Sequence, residues 1–225
     1  MTSGENITPI TLYHQLREAY GPQPDWWPGD NPFEIAVGAI LTQNTRWQHA
    51  ASAVANLKQA DLLDSKTLLD ASPNVIAMHL KPAGYHNLKT RRLQNLCYYL
   101  ETHGGVAALQ TLPLATARAG LLAVNGIGPE TADDILLYAL NRPVFVIDLY
   151  TRRLLARYGL ATGNEPYDQL RVYMEQDLPA DTTLYQEYHA LIVLHTQRSC
   201  KKQPHCDQCA LQMHCSAYCI RSGDD

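Results

Sequence analysis

LLAVNGIGPETADDILLYALNRPVFVIDLYTRRLLARYG, residues 121–159, decides how the rest of the chain is read. Residues 121–124 end a helical pattern. Asn125-Gly126-Ile127-Gly128 follows as a turn with two glycines, the residue least restricted in φ. Pro129 suits the first position of a helix, and Glu130-Thr131-Ala132-Asp133 carries it on. Glycines that expose backbone N–H groups at a helix start make an anion site, often for a phosphate. A dinucleotide fold fits poorly, because it needs a strand before the turn and a third glycine. A helical hairpin without a ligand stays open at this point. Asp148 closes the β-like run PVFVI and precedes another helical stretch; taken alone it reads as an N-cap.

Helical periodicity persists outside this stretch. ITLYHQLREAYG spaces Leu12, Leu16 and Tyr20 four apart and stops at Gly21. PFEIAVGAILTQ is apolar enough for a buried helix that starts after Asp30-Asn31, with Pro32 in its first turn. TRWQHAASAVANLKQ, LKTRRLQNLCYYLETHG, ATARAGLLAVN, PETADDILLYALN, DLYTRRLLARYG, YDQLRVYMEQDLP and LYQEYHALIVLHTQRS complete an all-α set with short loops marked by Pro and Gly. No internal repeat or low-complexity linker divides it.

The 225 residues suffice for one domain or two modest ones. A net charge of −4 excludes a globally basic binder, so contact with nucleic acid must be local. Two stretches supply local charge: HNLKTRR, with Lys89, Arg91 and Arg92, and DLYTRRLLAR, with Arg152, Arg153 and Arg157. MTSGENITPI lacks the basic and apolar regions of a signal peptide. No apolar run approaches the roughly 20 residues that span a bilayer. A soluble, cytoplasmic protein with no membrane partner is expected.

Four of the six cysteines, Cys200, Cys206, Cys209 and Cys215, fall within sixteen residues, with Cys219 just beyond. Cys97 is alone on an apolar helical stretch and reads as core. In a reducing compartment such a cluster reads as a metal site rather than as disulfides. Four thiolates suit a [4Fe–4S] cluster or tetrahedral zinc. A zinc ribbon pairs two C-x2-C knuckles, and this chain has one. His205, His214 and Cys219 are substitute ligands.

Residues 121–159 resemble the helix–hairpin–helix and the Gly/Pro-rich loop ending in Asp of the endonuclease III superfamily of DNA glycosylases. NPFEIAVGAILTQNT is similar to another helix of that family, and LIVLHTQRSC to the segment entering its iron–sulfur loop. The resemblance covers most of residues 10–216. It implies two helical lobes: a central domain, 30–140, with the hairpin, and a second, from 1–29 and 141–225, with a [4Fe–4S] loop. DNA is expected to enter between them, where Asp148 faces the hairpin. Asn125, Gly126 and Gly128 would approach a DNA phosphate, with a monovalent cation. Asp148 would be the catalytic aspartate, stabilising positive charge on the deoxyribose or activating water. In the strand-nicking members the position of Glu130 carries a lysine that forms a Schiff base. A carboxylate cannot, which implies a monofunctional enzyme that uses water and leaves an abasic site. Glu130 then positions that water, repels a misplaced phosphate, or favours the first helical turn through the macrodipole.

WWP, LTQNT, KPAGYHNLKTRRL and GIGPETADDI together resemble the 3-methyladenine glycosylase branch, which implies a base pocket of Trp26, Trp27, Pro28 and Trp47. The extruded base is held there. N3-alkylated adenine, cationic and already a good leaving group, suits a π-rich pocket. Gln43 matches the residue that fills the gap left by the flipped base; a buried amide capping a helix end is the alternative. Lys89, Arg91 and Arg152 are expected phosphate contacts, as are Lys201 and Lys202 in the cysteine loop. The family's loop has six residues in its first gap, and this chain has five. The expected function is removal of an alkylated purine such as 3-methyladenine from double-stranded DNA, by a monomer. The alternatives are a bifunctional oxidised-pyrimidine glycosylase and lyase, a mismatch or uracil-type glycosylase, and a non-catalytic DNA-binding module.

Overall fold

A computed structural model describes residues 7–218; Cys219 and the chain ends lie outside them. In chain order the α-helices are α1 (Pro9–Tyr20), α2 (Pro32–Leu41), α3 (Trp47–Gln59), α4 (Ser65–Asp70), α5 (Pro73–His79) and α6 (His86–Thr102). They continue with α7 (Gly105–Thr111), α8 (Leu114–Ala123), α9 (Pro129–Asp134), α10 (Leu149–Tyr158), α11 (Tyr167–Gln176) and α12 (Thr182–Arg198). No β-strand occurs among the described residues, in line with the all-α expectation. None of these helices is long and apolar enough to cross a membrane.

The chain forms two compact units. One is Trp27–Arg142; the other combines the residues up to Trp26 with those from Pro143 onward. In the first, α2 is the core element. Asn31 caps it, accepting from Glu34 N at 3.0 Å, Pro32 starts it, and Ala36 to Leu41 are all buried. Helices α3, α6 and α9 pack around it, so it is apolar on every face. Helix α6 turns Leu93, Leu96, Cys97 and Leu100 inward, and α4 and α5 close over it. After Asp134 the helix begun by α9 widens into a π-helical turn, Ile135–Ala139.

In the second unit α12 is central, with α1 and α10 packed on it. Thr8 and Thr11 form a reciprocal cap that starts α1. The run PVFVI, β-like in sequence, is not a strand. Its backbone is tied down by side chains instead: Phe145 N donates to Glu175 Oε1 at 2.9 Å, and Ile147 N to the Tyr167 hydroxyl at 3.2 Å. The Phe145 ring meets Tyr185 and Tyr188 edge-on at 5.5 and 5.4 Å. That anchor fixes where α10 begins, and so where Asp148 stands.

Candidate active site and cysteine loop

In the Trp27–Arg142 unit, the turn 125–128 joins α8 to α9. Gly126 has φ +97°, and a Cβ there would lie 2.4 Å from Arg92 Cγ, so both backbone and packing demand glycine. Gly128 is different. Its backbone is extended, and a Cβ placed on it would meet nothing within 4 Å. The protein's own packing does not require that glycine, and the residue is exposed. Asn125 is exposed, and its carbonyl accepts from Asn95 Nδ2 at 2.9 Å. Arg118 grips the buried Asp133 at 2.7 and 3.0 Å, holding α8 against α9. Glu130 is exposed in the first turn of α9.

Gln43 reaches this hairpin. Its Nε2 donates to Gly126 O at 3.1 Å and to Thr131 Oγ1 at 2.8 Å, while Oε1 accepts from Arg92 Nη1. The amide therefore joins the α2–α3 loop to the hairpin instead of capping the end of α2.

Lys89 corrects an expectation. It is 1% exposed and donates to Leu41 O at 2.8 Å, Thr45 Oγ1 at 2.5 Å and Ala83 O at 2.9 Å. The reason is helical period: Lys89 stands four residues before Leu93 and seven before Leu96, on the buried face of α6. Burial pulls its ammonium down to about 8, and Arg92 adds to the effect. It is not a phosphate contact. Arg91, on the opposite side of the helix, is exposed.

Of the four residues read as a base pocket, the structure brings two into contact. Trp27 and Trp47 meet edge-on at 5.7 Å, and the Tyr138 ring lies 4.8 Å from that of Trp27. Gly38 makes room on α2, since a Cβ there would come within 3.3 Å of Trp27 and 3.6 Å of Trp47. Pro28 is exposed, and Trp26 belongs to the other unit. Tyr138 was not found from sequence; the π-helical turn changes the register that would have placed it.

In the second unit Asp148 caps α10, its Oδ1 accepting from Thr151 N at 2.7 Å. His189 Nε2, from α12, lies 3.5 Å from Oδ2, and both residues are buried. Burial alone would raise the Asp148 pKa. The neighbouring His189 and the Thr151 bonds outweigh it and hold the carboxyl below its usual range. Asp148 is thus an ionised carboxylate in a dry setting. His189 was missed because it reads as one more position of an apolar helix.

The cations of α10 turn inward as well. Arg152 Nη1 donates to Gly163 O at 3.2 Å and Glu165 O at 2.7 Å, so one nitrogen of its guanidinium holds a loop. Arg153 Nε donates to Cys200 O at 2.9 Å. Arg157 reaches Cys200 Sγ at 3.3 Å and the carbonyls of Lys201 and Lys202 at 2.5 and 3.0 Å. The two lysine side chains are exposed.

Cys200, Cys206, Cys209 and Cys215 line one cavity, together with His195, Tyr158 and Leu154. His205 and His214 are exposed instead. His195 was not anticipated: its Nε2 is 3.9 Å from Cys209 Sγ, its Nδ1 2.8 Å from the Tyr20 hydroxyl, and burial pulls its pKa down to about 4. Burial raises the thiols of Cys209 and Cys215, and the neighbouring cysteines push the same way. No three donors among the described residues converge on a single metal-ion position. Zinc draws its thiolates to about 2.3 Å of one point. A cubane binds each thiolate at a separate iron, so four cysteines spread around one cavity fit it better.

Known proteins resemble this chain in sequence and in fold. The family described as "HhH-GPD superfamily base excision DNA repair protein" matches residues 37–180. "Putative DNA repair glycosylase MJ1434" of Methanocaldococcus jannaschii is 42% identical over 207 residues, 91% of this chain and 94% of that one. The structure of H. pylori 3-methyladenine DNA glycosylase bound to 1,N6-ethenoadenine aligns with TM-score 0.76 and 27% identity, over 85% of this chain and 98% of that one. A non-covalent endonuclease III–DNA complex aligns with TM-score 0.82 over 97% of this chain and 100% of that one. At 17% identity it speaks for the fold alone.

Proposed function

Because the chain belongs to the HhH-GPD superfamily of base excision DNA repair proteins, and is by that membership a DNA N-glycosylase acting on double-stranded DNA, we propose that it is monofunctional and removes an alkylated purine such as 3-methyladenine. The observation that carries this reading is Glu130, a carboxylate exposed in the first turn after the hairpin. It cannot form a Schiff base. The buried amine of Lys89 is no substitute, since its three N–H groups are spent on Leu41, Thr45 and Ala83. Water is then the nucleophile.

In this reading the turn 125–128 takes a backbone phosphate, with a monovalent cation, and Gly128 gives the closest approach. Gln43 fills the gap left by the extruded base, which stacks against Trp27 and Trp47. A cationic N3-alkyl purine gains from the π faces there and leaves readily. Asp148, ionised, stabilises the positive charge that develops on the deoxyribose or takes a proton from the attacking water. The neighbouring 3-methyladenine enzyme, 27% identical, supports the substrate class. Cys200, Cys206, Cys209 and Cys215 would hold a [4Fe–4S] cluster, which supplies a rigid cross-link and one-electron chemistry when bound.

The test is base release from dimethyl-sulfate-methylated DNA, followed by chromatography, with gels run before and after alkali. Released 3-methyladenine with breaks only after alkali is the expected result. Nicking of oxidised-pyrimidine DNA without alkali would move the enzyme to the lyase class. Asp148→Asn is expected to lower turnover about a hundred- to ten-thousand-fold while duplex binding persists; unchanged turnover would remove Asp148 from the chemistry.

A further inference from the structure

Helix α6 carries Lys89, Arg92 and Asn95 at spacings of three, so their side chains follow one another along one side of the helix. That side faces loops of its own unit. Lys89 ties together Leu41, Thr45 and Ala83. Arg92 donates to Gln43, and Asn95 to the Asn125 carbonyl. The Arg92 stem also occupies the space that a Cβ on Gly126 would need. Gln43, in turn, spends both N–H groups of its amide on Gly126 O and Thr131 Oγ1.

Every polar atom of the Gln43 amide is therefore engaged, and two of its three partners belong to the hairpin. A free glutamine loses on the order of 1.5–2 kcal/mol of rotamer entropy when it is immobilised. Here that loss is taken during folding, which is preorganisation in the usual binding sense. Lys89 and Arg92 bond neutral oxygens in these contacts. The charge of Arg92 thus stands beside Gly126 of the hairpin turn, where it favours an approaching phosphate.

We propose that Arg92 is a positioning residue for base extrusion: acting through Gln43, it locks the amide to the hairpin, so that phosphate capture and delivery of Gln43 to the base stack are one event. This rests on the reading of Gln43 as the group that fills the vacated space.

The experiment measures single-turnover excision of the same methylated base in two contexts, paired in a duplex and opposite an abasic gap, where there is no pairing to break. Arg92→Met is expected to slow excision from the paired duplex about tenfold, the loss that goes with one charge-assisted hydrogen bond, and to leave the gapped substrate nearly unchanged. Arg92→Lys keeps the charge and most of the stem over Gly126 but not the fork, so a smaller loss with the same selectivity is expected. Gln43→Ala is run alongside, and the Arg92→Met/Gln43→Ala double variant should be no worse than Gln43→Ala alone. Equal losses on both substrates, or none on either, would overturn the role of Arg92. A selective loss in Gln43→Ala but not in either Arg92 variant would end the coupling and leave the Gln43 reading intact. No selective loss in Gln43→Ala would end that reading itself.

Discussion

Helix α6 gives Lys89 and Arg92 to the loops of one unit, and α10 gives Arg152, Arg153 and Arg157 to the loops of the other. Both helices read in sequence as basic surfaces for DNA, and both turn these cations inward. What they hold differs. The α2–α3 loop is finished by the chain itself: the Lys89 ammonium and the Gln43 amide have protein partners, and the amide is bonded to the hairpin. The cysteine loop gathers four thiols around a cavity, where burial and the neighbouring cysteines oppose the ionisation of Cys209 and Cys215. A donor set of that kind becomes favourable when a cation shares the thiolate charge. The first region is self-sufficient, and the second, in the proposed reading, takes an inorganic partner.

The most damaging way to probe this contrast is Cys209→Ala. If the loop depends on a cluster, the variant is expected to lose iron and acid-labile sulfide together and to be destabilised by several kcal/mol, on the order of 5. Metal analysis and a thermal melt check it. A variant that melts like the parent chain would make the cysteine loop as self-sufficient as the other, and the contrast would fail.

A smaller effect is expected from Lys89→Met, which tests the self-sufficient side. Leu41 O, Ala83 O and Thr45 Oγ1 lose a shared donor in a buried place, while an unfavourable buried charge is removed. The orphaned oxygens are expected to prevail by about 2 kcal/mol at pH 7 in urea unfolding. The pH dependence gives the sign. The folded pKa of Lys89 is pulled down to about 8, against about 10.4 for an unfolded lysine. Between those values the unfolded chain binds the proton more tightly, so the parent chain gains stability as pH rises through the window. Its advantage over Lys89→Met should therefore widen by about 2 kcal/mol between pH 7 and pH 9.5. An advantage that narrows would mean that the ammonium is favoured where it sits.

Lys89 and Arg152 show what was legible in the sequence. The inward turn of Lys89 is written in its spacing from Leu93, Leu96 and Leu100, yet its charge suggested a phosphate contact. Arg152 could not be placed that way, because its partners sit in the loop at Gly163 and Glu165. The long helices announced themselves through their period. Helices α4, α5 and α7 did not, having only six or seven residues each. The hairpin glycines were readable as a turn, but not the division between them, with Gly126 required by Arg92 and Gly128 facing open space. Tyr138 depends on a π-helical turn that no local pattern marks.

His189 belongs to the same class of long-range partners, and it offers the finest test of the comparison because it acts at the start of α10, away from the cysteine loop. Asp148 keeps its carboxyl ionised against burial with the help of His189 and the Thr151 bonds. In His189→Gln the burial remains and the charge of the partner is gone. The Asp148 pKa should rise, because the hydrogen bond and charge that His189 sets against burial are lost. A group whose folded pKa is depressed delivers its ionised form above that pKa and loses it as pH falls through it. The acid limb of the excision-rate profile should therefore move upward in His189→Gln, while the rate near pH 7 barely changes. Asp148→Asn provides the baseline beneath both curves. If the acid limb stays where it was, Thr151 alone keeps the carboxylate ionised, and α10 needs no help from α12 at that end. If the limb moves and the iron content does not, the two ends of α10 serve separate purposes: a carboxylate tuned by α12 at one, and arginines that shape the cysteine loop along the rest.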